Sequence, residues 1–207
     1  MVTVSEKAGL TLLRASGALR GRRELWLFAV VFVVFALTAD TAHICLDVWT
    51  TNYASWRLAT AHTPYLDGVS IPDLDNNGFK WVWIQDAPNG HTVVTRAPAA
   101  VIAGLPAYLL SQPDQMTVLP AALTAAALTA AAVVLFHRAV RTVLAPWQAL
   151  AAAVAFAFTT PIWSVSANGI WPHTITVLGI AMVAWAASAQ RWWSVGLGGV
   201  LLLWARP

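Results

Sequence analysis

Charge is what this chain lacks most. Asp, Glu, Lys and Arg make up 10% of it, against 58% hydrophobic residues, whereas a soluble domain carries about 25% charged residues. So little charge cannot cover a water-facing surface, and a multi-pass membrane protein becomes the default class. Cysteine is nearly absent as well. Cys45 stands alone, which excludes an internal disulfide and a multi-cysteine metal site and leaves a small buried side chain as its expected role. No glycine-rich phosphate loop, HExxH or nucleophile elbow occurs, so the chemistries those motifs support find no foothold here. Basic residues do not interleave with aromatics in a patch, and nucleic acid is not an expected partner.

What the chain has is a series of apolar runs. Arg20, Arg22 and Arg23 precede the first, and Thr38, Ala39 and Ala42 lie near its far end, the outline of a signal peptide. The run over 25–46 is nevertheless long enough to span a bilayer, and more runs follow, so it reads as an uncleaved first transmembrane helix. Further spans are expected over 116–136, 143–162, 174–190 and 193–204. The fold class is therefore an all-α multi-pass bundle of about five spans. The apolar stretch 97–110 is shorter and interrupted by Pro98 and Pro106. It predicts a juxtamembrane helix over 98–112 lying along the outer face.

That placement follows from the basic clusters. "RGRR" (20–23), "HRAVR" (137–141) and Arg191 all fall on the cytoplasmic side if 98–112 does not cross. Residues 47–97 then form a large outer loop and "WSVSANGIWPH" (163–173) a shorter one. Alternating β-formers around Asn89-Gly90 suggest a hairpin in the large loop. The Ala-rich run 121–132 predicts close packing of helices through small residues.

The polar residues gather toward the outer face. Asp40, His43 and Asp47 are spaced i, i+3, i+7 and share one stripe if the first helix continues through them. Ionisable groups at that depth usually face a cavity. The plainer alternatives are that Asp47 ends the helix in water, that Asp40 is neutralised by hydrogen bonding, and that His43 only packs. Arg57, Lys80 and Arg96 supply cations on the same side. "DLDNNG" (73–78) opens like a calcium loop, but Ile84 stands where the twelfth-position Glu belongs, which rejects an EF-hand. A looser divalent-metal site involving Asp67 or Asp86, or the Asp40/His43/Asp47 stripe, stays open beside a plain Asx-rich turn. No cofactor is demanded by the pattern.

A basic N-terminus, a helix leading outward, an acid at its exit and a large outer loop together resemble the N-terminal half of the GT-C superfamily of membrane glycosyltransferases. The likeness is carried by "LDVWTTNYASWRLATAHTPYLDG", "VVTRAPAAVIAGLPAYLL", "ANGIWPHT" and "LLLWARP", and it is to actinobacterial members most of all. The resemblance implies transfer of a sugar from a polyprenyl-phosphate donor to a glycan or lipid acceptor of the cell envelope, on the outer face of the plasma membrane. It implies that an acid in the first outer loop takes the acceptor's proton, with Asp47 the closest match by position and Asp40 the second. Arg96 would meet the donor phosphate, with headgroup snorkelling as its plainer role. Trp171, His173 and Asn168 would line the site, against an alternative of interface anchoring. Some members use a divalent metal and others do not. The resemblance also leads one to expect further helices after residue 207, so that residues 1–207 form the N-terminal part of a larger transmembrane domain. The competing class is a non-enzymatic multi-pass protein, such as a transporter subunit or an envelope-assembly scaffold. A transporter would place polar residues near the bilayer midplane, and the later runs here have almost none.

Overall fold

The computed structural model describes residues 4–42, 45–69 and 84–205, with residues 4–20 described by backbone alone. In chain order the elements are α1 (Val4–Leu37), α2 (Leu46–Thr60), β1 (Ile84–Asp86), β2 (Thr92–Val94), α3 (Pro98–Ser111), α4 (Leu119–Val140) and α5 (Pro146–Phe158). A π-helical turn (Ile162–Ser166), α6 (Pro172–Ser188) and α7 (Trp192–Ala205) complete the order. The fold is mostly helical, with one two-stranded sheet among the described residues.

Among the described residues, α4 is the one helix long and apolar enough to cross a membrane by length and composition. Its 22 residues reach about 33 Å, against a hydrocarbon core of about 30 Å. Helices α3, α5, α6 and α7 are apolar but shorter.

The first expected span needs correction. Helix α1 ends at Leu37 rather than continuing to residue 46. Thr38 closes the last turn, its Oγ1 donating to the Val34 carbonyl at 2.7 Å. Asp40 then accepts the Ala42 amide at 2.9 Å in an Asx turn. Short polar side chains that bind nearby backbone compete with helix continuation, and here they win. A separate helix, α2, starts at Leu46. Asp40 and Asp47 therefore do not share a stripe on one helix, and His43 lies outside the described residues. Cys45, expected to be buried, is exposed just ahead of α2.

Small residues let the helices approach one another. Ala121, Ala122, Ala125, Ala126 and Ala130 on α4 are all fully buried. Leu27, Val31 and Phe35 form an i, i+4, i+8 stripe on α1 that packs against α4 and α5. Gly179 and Gly198 face each other where α6 crosses α7: a Cβ built on Gly198 would stand 2.8 Å from a Val183 methyl and 3.1 Å from the Gly179 carbonyl oxygen.

The expected hairpin is present. Ile84 pairs with Val94 and Asp86 with Thr92, around a turn in which Gly90 takes φ +84, a left-handed value that glycine adopts without strain. The hairpin is fastened to the chain that leaves α2. Leu66 donates its amide to the Thr92 carbonyl at 2.8 Å, Tyr65 stacks on His91 with centroids 4.1 Å apart, and Arg57 Nε donates to the Tyr65 carbonyl. Asp67 accepts the Thr92 amide at 2.7 Å and sits 2.6 Å from His91 Nδ1. Those two hydrogen bonds, the backbone one first, hold its carboxyl below the ordinary value of 3.8. Asp67 and Asp86 both serve the hairpin, since Asp86 accepts from the Thr92 hydroxyl. Among the described residues, no group of three or more His, Cys, Asp and Glu is placed to hold a metal. The "DLDNNG" segment and Lys80 lie outside the described residues.

Candidate functional site

Strand β2 runs directly into Thr95 and Arg96, and Pro98 then opens α3. The fastened hairpin thus delivers Arg96 to the start of α2. There Arg96 Nη2 lies 2.5 Å from Asp47 Oδ1, with both side chains mostly shielded from water. Asp47 stands in the first turn of α2, where the exposed amides of a helix N-terminus favour negative charge. The arginine and the helix end therefore face the same carboxylate.

The segment between α5 and α6 supplies the opposite wall. Pro161 is followed by the π-helical turn, whose wider path carries the chain to Gly169 and Trp171. Val48 of α2 packs against Gly169 so closely that a Cβ there would come within 2.6 Å of a Val48 methyl. A buried polar knot fixes the same segment: Thr129 and Thr174 both donate to the Ser166 carbonyl, at 3.0 and 2.8 Å. Trp171 donates its indole N–H to the Val165 carbonyl at 2.7 Å, and its ring meets His173 edge-on at 4.5 Å. That hydrogen bond and ring contact set Trp171 and His173 side by side as one wall.

Asp47, Arg96, Trp171 and His173 line one cleft of about 550 Å³, closed by Thr95 and by Ala205 at the end of α7. The volume falls in the range of small-molecule sites. Arg96 and Val94 also border a neighbouring groove of about 270 Å³, lined by apolar residues including Leu58, Val93, Val101 and Ile102. One arginine therefore stands where a polar cleft meets an apolar groove.

Two of the residues singled out from sequence are elsewhere. Asp40 forms its own exposed turn and is not among the cleft-lining residues. Asn168 donates to the Ser164 carbonyl at 3.1 Å and shapes the π-helical segment instead of lining the cleft. Thr95, Pro172 and Ala205 are lining residues that the sequence did not single out. All three sit inside motifs quoted above, Thr95 in "VVTRAPAAVIAGLPAYLL", Pro172 in "ANGIWPHT" and Ala205 in "LLLWARP", but none carries an ionisable or aromatic group that would single it out.

A second cluster occupies the other end of α6. Arg138 pairs with Glu24 at 2.5 Å. The Arg138 and Arg191 guanidinium carbons lie 5.7 and 5.2 Å from the centre of the Trp185 ring, within cation–π range. These residues and Arg141 line a cleft of about 530 Å³. His173 and Trp185 are twelve residues apart on one helix, so about 18 Å separates the two clusters along its axis.

No family model, curated protein or solved structure matches the chain.

Proposed function

We propose that this chain is a multi-pass membrane glycosyltransferase of the GT-C type, which moves a sugar from a polyprenyl-phosphate donor to a cell-envelope acceptor at the outer face. The observation that carries this reading is the Asp47–Arg96 pair at the junction of the polar cleft and the apolar groove. A lipid-linked sugar has that same division into an anionic head and a hydrocarbon chain. The groove beside Val101 and Ile102 takes the first prenyl units, Arg96 meets the phosphate, and the sugar lies in the cleft against Trp171.

Asp47 takes the proton of the acceptor hydroxyl as its oxygen bonds to the anomeric carbon, and the bond from that carbon to the phosphate oxygen breaks. The leaving polyprenyl phosphate gains a negative charge. Arg96, moving from the carboxylate to the phosphate, stabilises that charge through its planar donors. Arg96→Ala is expected to weaken donor binding about 10- to 100-fold, the size of a hydrogen bond to a charged group, and Arg96→Lys to restore only part of it. Titration of detergent-purified protein with a polyprenyl-phosphate sugar measures this. Unchanged affinity in both variants would remove Arg96 from the donor site.

Membrane embedding is supported by large apolar side chains left open to the surroundings on α1, α4, α5, α6 and α7, among them Leu37, Leu119, Trp147, Ile180 and Leu203. Faces of that extent are not tolerated in water. The basic residues Arg138, Arg141 and Arg191 gather at one end, away from the Asp47 cleft, which suits a cytoplasmic basic end and an outer cleft. With Cys45 replaced by serine, a cysteine at Asn89 is expected to react with an impermeant maleimide on intact cells. A cysteine at Thr142 is expected to react only after permeabilisation, and the reverse pattern would overturn the orientation.

A further inference from the structure

A third cavity, of about 590 Å³, opens between α1 and α5 near the basic end. Its walls include Trp26, Val30, Trp147, Leu150 and Val154, all exposed to the surroundings. Polar residues line the same cavity: Arg23, Arg141 and His137. Among the described residues, no ion pair engages Arg23 or Arg141, whereas Arg138 next to them is already paired with Glu24. His137 is only 6% exposed, yet its Nδ1 has no hydrogen-bond partner among the described residues. That nitrogen has almost no accessible surface, so a ligand in the cavity meets the two arginines rather than this ring atom.

We propose that this groove holds one anionic phospholipid of the membrane leaflet at the basic end. Its phosphate sits between Arg23 and Arg141, and an acyl chain runs along Trp26, Val30, Leu150 and Val154. Charge complementarity selects the lipid. Two guanidinium groups without an ion pair among the described residues, set over an apolar trough, match an anionic headgroup on a hydrocarbon chain, and basic pockets between membrane helices recognise such headgroups. A free anion would leave the trough empty, and an apolar helix would leave the arginines without partners.

The inference rests on the membrane reading above, and the experiment separates the two. Membranes carrying the full chain are first washed with alkaline carbonate; release of the protein at that step would sink the membrane reading itself. Protein extracted in detergent is then exchanged into equal phosphatidylglycerol and phosphatidylcholine, and bound lipid is counted by native mass spectrometry. Retained phosphatidylglycerol over phosphatidylcholine is the expected result. Each basic residue near an anionic headgroup contributes about fivefold, so Arg23→Gln with Arg141→Gln should cut retention about 25-fold. Val154→Trp leaves every charge in place but fills the trough, and it should lose the lipid as well, which keeps the test alive if the arginine variant fails to fold. Equal retention of both lipids, a Val154→Trp protein that keeps its phosphatidylglycerol, a lipid-free dimer, or the same thermal stabilisation from inorganic phosphate alone would each overturn the proposal.

Discussion

Asp47→Asn is expected to lower sugar transfer by about 100- to 10,000-fold, the range that a positioned general base contributes, while the protein still inserts and folds. The substitution is close to isosteric, so the start of α2 keeps its shape. It does remove one charge from the pair with Arg96, in which the two side chains are 21% and 29% exposed. Losing a charge-assisted hydrogen bond of that kind costs about 1–3 kcal/mol, or roughly 2–10 °C in unfolding midpoint for a chain of this size. The two effects separate cleanly in measurement. Transfer from a radiolabelled polyprenyl-phosphate sugar reads the chemistry, and thermal unfolding in detergent reads the fold. If Asp47 only ties α2 to the entry of α3, transfer and midpoint fall together and Asp47→Glu rescues both poorly. If it is the base, transfer collapses in protein that is still folded at assay temperature. Full activity in the Asn variant would end the assignment.

The second large effect is on stability, and it turns on two neighbouring glycines of α7. Gly198 lies in the crossing with α6, where an added Cβ would stand 2.8 Å from Val183 and 3.1 Å from a backbone oxygen. Gly199 has nothing within 4 Å of the same position. Glycine in a helix interior is worse than alanine by about 1 kcal/mol, so propensity alone favours replacing either. At Gly199 nothing opposes that gain, and Gly199→Ala should stabilise by about 0.5–1 kcal/mol. At Gly198 a leucine would overpack the crossing at a cost of about 1–3 kcal/mol or more, because the α6 backbone itself blocks the space. The net for Gly198→Leu is a loss of about 2 kcal/mol. Unfolding midpoints that shift in opposite directions for the two variants are the expected result; shifts of the same sign would mean that α6 and α7 do not meet at these glycines. Because Ala205 at the end of α7 helps to close the Asp47 cleft, Gly198→Leu should also disturb donor binding.

Much of the helical layout is legible in the sequence. Apolar runs bounded by Pro98, Pro146 and Pro172 mark where α3, α5 and α6 begin, since proline suits the first helical turn and little else in a helix. Asn89-Gly90 marks the hairpin. The break after Leu37 is not legible in the same way. Residues 25–46 contain neither glycine nor proline, and the interruption comes from side chains of Thr38 and Asp40 turning back on their own backbone. Trp163 adds to it by donating its indole N–H to the Thr38 hydroxyl from 125 residues away, a contact that no local pattern announces. The site shows the same division. Asp47, Arg96, Trp171 and His173 are recognisable as polar or aromatic groups near the ends of apolar runs. That Asp47 and Arg96 touch depends on the hairpin folding back and docking through Tyr65, Leu66 and Asp67, which is tertiary information. Asn168 shows the converse: it sits in the right motif, but its amide goes to the Ser164 carbonyl.

If the chain lies in a bilayer as proposed, the twelve residues between His173 and Trp185 have a consequence for the surrounding lipid. About 18 Å of helix separates the Asp47 cleft from the basic end, well short of the roughly 30 Å of hydrocarbon in an ordinary bilayer. In the membrane reading, the bilayer beside α6 either dimples locally toward the cleft or lets water down to the cleft floor, while α4 keeps the full hydrocarbon thickness. Either outcome shortens the climb for a prenyl-linked phosphate, which reaches Arg96 without pulling its chain out of the leaflet. The acceptor, arriving from the aqueous side, descends into a dimple instead of standing on a flat surface.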